Sequence, residues 1–403
     1  MKTEPQPRQS LRFPNWKDLP KLLRDDRFWK IAGQAIAVVL VVTSIAVIGD
    51  NLTTNLRELG IKFGFDFLGS QASFDIGESV ISYSPADTYT QALLVGLINS
   101  LRVMGLGIIL ASLVGFTVGI ARLSDNWLVR NLAMVYVEVL RNTPLLLQLF
   151  FWYFAVFIAL PKLENNPSLS GPFYFTNRGI AIPWLAMNSQ TGIWLIMLAF
   201  GLVSAVWLWR WRTQLMLEQG TAGKQWRWAG GAVVISTILA GIITRTAPFS
   251  LVVPHLTANL QLEGGLKLSP EFSTLLTGIS LYTASFIAEI VRSGIQSVPK
   301  GQWEAGKALG LKPVALMRLV ILPQAMRVIV PPLTSQYLNL AKNSSLAIAI
   351  GYPDIYFVAS TTFNQTGRAV EVMLLLMIAY LTLSLIISLV MNLYNQSLQF
   401  KDR

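Results

Sequence analysis

Cysteine is absent from the 403 residues, and histidine occurs once, at His255. Disulfides and thiolate metal sites are therefore excluded, a histidine-based metal or triad site is not expected from a single imidazole, and the redox compartment is left open. Charge is also scarce: Asp, Glu, Lys and Arg make up 13% of the chain, against about a quarter in a globular domain. The 32 basic residues outnumber the 21 acidic ones, for a net charge of +11. Nucleic acid is not an expected partner, because the basic residues sit in short connections between apolar runs and form no continuous patch. A phosphate-binding loop needs Gly-Lys followed by Ser or Thr; here Gly223-Lys224 runs into Gln225 and Gly306-Lys307 into Ala308. No catalytic, nucleotide or metal site is expected on this chain. No cleavable signal peptide is expected, since the first thirty positions are polar and charged and the apolar run starts only at Ile31. Neither an internal repeat of fixed period nor a low-complexity segment stands out.

Apolar sequence is what the chain has in abundance. Hydrophobic residues reach 53% and the mean hydropathy is +0.51, as expected where the solvent is largely lipid. A helix crossing the bilayer core needs about 20 mostly apolar residues. Eight such segments are expected, at 31–49, 91–120, 131–160, 192–209, 229–247, 272–292, 326–350 and 370–395, so the expected fold class is an all-α polytopic membrane protein. The seventh is interrupted by Pro331, Pro332, Lys342 and Asn343, which is tolerated where neighbouring helices or a cavity satisfy the freed polar groups.

Orientation follows from Lys and Arg in the short connections. With the N-terminus in the cytoplasm, the inside segments hold the basic arm 1–30, Arg122, Arg130, Arg210, Arg212, Lys224, Arg227, Arg292, Lys300, Lys307, Lys312 and Arg318. The outside segment 50–90 carries Asp50, Glu58, Asp66, Asp75, Glu78 and Asp87 against only Arg57 and Lys62. Both termini, including the tail 397–403, are expected in the cytoplasm. The arm reads as a contact with anionic lipid or as the orientation signal itself, with a regulatory contact to a soluble partner as the other reading. Segment 50–90 reads as either a short interfacial helix or a hairpin, and 160–191 is rich in breakers, among them Pro161, Pro172 and Pro183. Trp207, Trp209, Trp211, Trp226 and Trp228 bracket a basic connection and read as an aromatic belt at the inner interface. His255 falls in an outer loop and reads as incidental.

One polar, basic insert stands out between apolar runs, at 299–323. Pro299-Lys300-Gly301-Gln302 ends one helix and permits a new start. Trp303 to Leu309 are good helix formers, Gly310 stands where a C-cap glycine would, and Lys312-Pro313 opens a second short helix. The first helix, presenting Trp303, Ala305, Ala308 and Leu309 with Glu304 and Lys307 at the rim, fits a groove of a soluble partner. An ordinary amphipathic loop is the other reading of the same residues.

The spacing Glu304-Ala305, Gly310, Val320, Leu322-Pro323 resembles the EAA loop of ABC importer permeases, with Gly306 where a second alanine is commonest and Val320 where isoleucine is. Leu281 to Gln296 is similar to the helix before that loop in polar amino-acid permeases. Arg141-Asn142-Thr143-Pro144-Leu145-Leu146-Leu147-Gln148 resembles their RGTPLL-Q stretch, with Asn142 for the usual glycine, and Lys342-Asn343-Ser344-Ser345-Leu346 is a third block. The resemblance implies a type I ABC importer permease core at 91–160 and 272–396. The first span with its outer loop (31–90) and two extra helices within 161–271 exceed that core, as in the general L-amino-acid branch.

That resemblance implies a multi-pass protein of the bacterial inner membrane. It also implies an ABC ATPase dimer holding ATP and magnesium, a second and different permease subunit, a periplasmic binding protein and an amino-acid substrate. Trp303, Glu304, Ala305, Gly306, Ala308, Leu309, Gly310, Leu322 and Pro323 would couple to the ATPase. Glu138 with Arg141 and Glu289 with Arg292 are spaced to pair on one helix face, either as structural pairs or as part of a substrate path. The path expected near mid-membrane comprises Glu289, Tyr282, Ser285, Asn343 and Ser344, with Glu138 and Arg141 as further candidates. Two other classes compete: an ion-coupled secondary carrier, which usually shows repeated halves absent here, and a membrane scaffold, which leaves the intramembrane polar residues unmotivated.

Overall fold

The computed structural model describes residues 26–58, 63–163, 172–219, 225–257 and 262–398. Most of the basic arm, the connection holding Lys224 and the last five residues lie outside the described residues. The chain divides into two compact units, Met1–Asp66 and Phe67–Arg403. In the first, α1 (Asp26–Glu58) is one helix of 33 residues. At 1.5 Å per residue it is roughly 50 Å long, so the apolar run at 31–49 is extended by further turns in both directions.

The second unit is organised by two parallel helices, α2 (Tyr89–Ala121) and α7 (Pro270–Gln296). Small residues recur every fourth position along α2, at Gly107, Ala111, Gly115 and Gly119, and all four are buried. Ala284 and Ala288 answer them on α7. A Cβ on Gly115 would lie 2.6 Å from Ile287 Cβ, and one on Gly119 2.7 Å from Val291 Cβ. Such stripes let backbones approach in lipid, where no hydrophobic force draws helices together and close van der Waals contact must hold them. Both helices start on side-chain caps: Thr88 accepts from the Gln91 amide, and Ser269 from the Phe272 amide ahead of Pro270.

The expected third span, 131–160, is not one helix. It consists of α3 (Trp127–Asn142), α4 (Leu145–Phe150) and a wide π-helical turn at Phe151–Phe157, with a bend of 107° at the break. Pro144 is the cause. It has no amide proton, and it forces Thr143 into extended backbone (φ −105°, ψ 128°). Gln148 repairs the break, its side-chain Nε2 donating to the carbonyls of Leu140 at 2.9 Å and Thr143 at 3.0 Å.

The two extra helices are present as a hairpin, α5 (Thr191–Gln219) and α6 (Gln225–Thr244). The all-α architecture holds for the spans, and the only extended elements among the described residues are short strands in the segments flanking the hairpin. These are β1 (Tyr174–Thr176), β2 (Gly179–Ile182), β3 (Trp184–Met187), β4 (Phe249–Val252), β5 (His255–Leu256), β6 (Leu262–Glu263) and β7 (Leu266–Leu268). They pair antiparallel as β1-β2-β7, β3-β4 and β5-β6. The proline and glycine breakers that prevent helix in 160–191 leave extended pieces that satisfy their backbone groups by pairing with the segment after the hairpin. His255 sits in β5 opposite Glu263.

After α7 come α8 (Lys300–Ala308), α9 (Pro313–Leu316), a wide turn at Met317–Ile321, and α10 (Leu322–Asn343). Pro331 and Pro332 do not interrupt α10; the helix runs through both. A 3-10 segment, Ser344–Ile350, leads to α11 (Ile355–Thr366) and α12 (Ala369–Leu398). α11 was not expected, although its signals are in the sequence: Asp354 caps its start and Gly367 its end, with φ +67°. In the described part of the 50–90 segment, Asp66–Gly69 is a 3-10 turn and Gln71 forms an antiparallel bridge with Thr88 at the start of α2, while 59–62 lie outside the described residues. Among the described residues seven helices are long and apolar enough to cross a membrane, or eight with the bent pair counted as one span.

Replacing Gly115 by Val is expected to cost about 1–3 kcal/mol through overpacking against Ile287, read as a lowered melting temperature in detergent. Gly105→Ala, where nothing lies within 4 Å of the added Cβ, is expected to leave melting unchanged or raised.

Candidate functional site

Three polar regions are placed by this fold: a short exposed helix, an arginine cluster beside it, and a buried network at the opposite end. The end of the second unit carrying α8 is called the basic end here, and the other the strand-bearing end.

α8 is terminated by a full Schellman arrangement. Gly310 lies in the left-handed region (φ +72°), its amide donates to Lys307 O at 2.9 Å, and the Leu311 amide donates to Gly306 O at 3.1 Å. Glu304, Ala305, Lys307, Ala308 and Leu309 are exposed, while Gly306 is buried. The departure at Gly306 has a local reason, since a Cβ there would fall 2.2 Å from Leu316 Cδ1 on α9. Trp303 is only partly presented: it is half-buried and packs on the core of its own chain. Leu309 and Val314, each 79% exposed, supply the apolar surface instead. α9 continues through the wide turn straight into α10. Pro323, which lacks an amide proton and would clash with the carbonyl four residues back, is accommodated by that widening.

Seven residues before the end of α7, roughly 10 Å along the axis, Glu289 gathers three guanidinium groups. Arg122, at the C-terminus of α2, donates to its Oε2; Arg292, one turn on, donates to its Oε1; and Arg141 Nη1 stands 3.7 Å from Oε2. Arg141 also lies over the Phe286 ring, 5.2 Å from its centroid. The expected pairing of Glu138 with Arg141 is not formed: Arg141 turns to Glu289, and Glu138 accepts from Asn142 at 3.1 Å. Sequence spacing favoured the local partner, but α3 packs on α7 and brings the carboxylate of Glu289 within reach of Arg141 instead. One carboxylate against three guanidiniums leaves a net charge of +2, and both carboxylate oxygens are engaged.

The remaining path candidates do not meet at one level. Ser285 and Ser344 are buried and donate to carbonyls of their own helical turns, Tyr282 O at 2.6 Å and Ala341 O at 2.8 Å. The Tyr282 ring packs on Phe286 at 5.0 Å, and Asn343 is half-buried. α10 runs antiparallel to α7, because Gly107 faces both Ile279 and Leu340 whereas Gly294 faces Ala325 and Ile329. Counting from the shared level of Ile279 and Leu340, Glu289 and Asn343 are separated by about 20 Å along the axes. A single mid-membrane site holding both is therefore excluded.

The strand-bearing end holds polar residues that sequence reasoning missed. Glu78 pairs with Arg102 at 2.5 Å and accepts from Ser269, while Arg102 lies 3.9 Å over the centroid of Phe272. Buried Asn99 donates to the carbonyls of Glu78 at 2.8 Å and Pro353 at 2.9 Å, and buried Ser100 accepts from the Ile355 amide. Beside this network a cavity of about 430 Å³ is lined by Glu78, Arg178, Lys267 and Ser269 among others. Asp354 caps α11 through Oδ1, accepting from the Phe357 amide at 2.8 Å; its Oδ2 lacks a hydrogen-bond partner, with the Tyr380 hydroxyl facing the carboxyl. Burial pushes the Asp354 carboxyl from its ordinary 3.8 up to about 7. The only sequence trace of this network was Asp354 preceding an apolar run.

Glu289→Gln is expected to destabilise the fold by about 1.5–3 kcal/mol, the range for hydrogen bonds to charged groups, because three guanidiniums lose their shared counter-charge. Adding Arg122→Gln should recover part of that loss in a detergent melting assay; an unchanged single variant would refute the clamp. For Asp354, the folded carboxyl holds its proton to higher pH than the unfolded one, so stability falls as pH rises through the interval from about 4 to 7. Asp354→Asn keeps a capping oxygen and removes the titration. Between pH 5 and pH 8 the wild-type protein is therefore expected to lose melting temperature that the variant retains.

Comparison with known proteins completes the description. Residues 228–400 match the family described as "Binding-protein-dependent transport system inner membrane component". The chain is 42% identical over 381 residues to the general L-amino acid transport system permease protein AapQ of Rhizobium johnstonii, covering 94% of each chain. It is 43% identical over 371 residues to the putative amino-acid ABC transporter permease protein YhdX of Escherichia coli, covering 92% of this chain and 94% of that one. Against the glutamate/glutamine/aspartate/asparagine transport system permease protein BztB of Rhodobacter capsulatus it is 40% identical over 415 residues, covering 96% and 97%.

Proposed function

The chain belongs to the family of inner-membrane components of binding-protein-dependent transport systems, and we propose that in it the exposed helix α8 couples this permease to a separate ATPase pair. The protein is a multi-pass inner-membrane permease of the amino-acid ABC importer class, a transport component whose relatives match it along almost their full length. The carrier alternative is not favoured. The observation that supports the coupling role is the geometry of α8: a short, capped helix exposing Glu304, Ala305, Ala308 and Leu309 and joined through α9 to the span α10. An exposed amphipathic helix of this kind suits a groove on a soluble partner.

In this reading the basic end and both termini face the cytoplasm, and the ATPase pair carries ATP and magnesium. Closure of that pair moves α8 with Trp303, Gly306 and Gly310, and the continuation through Leu322 and Pro323 passes the motion to α10 as a rigid-body switch. A second, homologous permease completes the membrane path. A periplasmic binding protein delivers the amino acid to the strand-bearing end, beside the cavity at Glu78, Arg178 and Lys267. Tyr282, Ser285, Asn343 and Ser344 border the route at successive depths, and Glu289 with Arg122, Arg141 and Arg292 closes its basic end, next to Glu138. Residues 91–160 and 272–396 form the permease core of this scheme, and 161–271 is the insertion.

Co-purification from mild detergent tests the coupling. The intact chain is expected to bring an ATPase subunit with it, and the double variant Glu304→Lys, Gly310→Arg to lose that subunit while keeping its membrane level. Uptake of amino acids in proteoliposomes by the intact chain alone, without ATP, would sink the reading and favour a carrier.

A further inference from the structure

We propose that the seam between α5 and α6 is a binding site for an anionic phospholipid, with one acyl chain lying in the groove and the headgroup held by Arg212 and Arg227. The inference is independent of the direction of transport and of the substrate. The groove encloses about 480 Å³, within the range of small-molecule sites. Its floor is opened by small residues, Gly201, Ser204, Gly231 and Ala232, between walls that include Phe200 and Ile235. Arg227 and Trp228 stand at one end. From Met197 to Leu208 the lining covers eleven helical steps, roughly 17 Å, close to half of a hydrocarbon core about 30 Å thick. That is the depth of a single leaflet measured from the aromatic end inward.

The charge at that end calls for an anion. Arg212 lies over the Trp228 ring at 4.7 Å and the Trp211 ring at 5.8 Å, and Arg227 over Trp226 at 5.3 Å. Trp207 and Trp211 stack in parallel at 6.0 Å, extending the aromatic wall. The Arg212 Nε is buried and has no acceptor among the described residues. From Thr191 to Thr244 the only acidic residue is Glu218, against Arg210, Arg212, Lys224 and Arg227, and none of the three arginines forms an ion pair among the described residues. Basic pockets between spans are the setting in which anionic headgroups are held. A free phosphate would satisfy the arginines but leave the apolar floor empty. A helix from another chain, about 10 Å across, is too wide for a seam whose walls touch at Gly201 and Ser236, where a Cβ on Gly201 would lie 2.0 Å from Ser236 Oγ.

The test uses the full chain purified in mild detergent, with co-purified lipid measured by mass spectrometry. Phosphatidylglycerol is expected to be enriched several-fold over its share of the source membrane. Both the double variant Arg212→Gln, Arg227→Gln and the groove-filling variant Ala232→Phe should bring it back to that share. Loss in the arginine variant alone would mean surface electrostatics without a groove, and would overturn the proposal; so would unchanged enrichment in either variant. In phosphatidylcholine nanodiscs, titrated phosphatidylglycerol should raise the melting temperature of the intact chain saturably by several degrees, and inorganic phosphate should not. If a variant fails to assemble, this titration still decides, since an absent or unsaturable shift, or one reproduced by phosphate, refutes the site. A cross-link from Ala232→Cys to another protein chain in the membrane would also refute it.

Discussion

The close approach of α2 and α7 is the constraint on which the rest of the second unit depends. Lipid offers two helices no hydrophobic reward for touching, so their association rests on surfaces that fit. The stripe Gly107, Ala111, Gly115 and Gly119 provides that fit, and its consequences extend to both ends of the pair. At the basic end it carries Arg122 to Glu289 on the neighbouring helix. At the strand-bearing end it sets Arg102 over Phe272, with Asn99 reaching the carbonyl of Pro353.

Breaks in the helices are made tolerable by partners supplied from within the protein, along the spans and at the exposed α8 alike. The bend at Thr143-Pro144 leaves carbonyls without partners, and the side-chain amide of Gln148 takes up two of them. α8 ends on its own backbone, through Gly310 and Leu311. Pro323 is absorbed by a widened turn rather than a kink. Each device answers the same requirement, that backbone polar groups find partners within the protein.

The spans were legible because twenty apolar residues in a row have few other uses, and α8 was legible because proline and glycine mark its limits. The bend within 131–160 was missed because apolar length was weighted above Pro144, whose effect on the residue before it is local and strong. The strands around the α5–α6 hairpin were missed because their pairing is between distant segments such as Ile180 and Leu268, which no local pattern reveals. The partner of Arg141 failed for the same reason: helical spacing points to Glu138, while the neighbour that wins comes from more than a hundred residues away. The pairing of Glu289 with Arg292 was legible from helical spacing, but Arg122 reaches it across the glycine-set approach of α2 and α7, and Arg141 from α3.

The arginine cluster has a consequence for how such chains can diverge. Positions 122, 141 and 289 lie on three helices and share one balance of charge. Losing the carboxylate at 289 strands three guanidiniums, whereas losing one arginine only lowers an existing excess. Across descendants of this sequence the arginines should therefore vary one at a time, while position 289 stays acidic for as long as two of them remain.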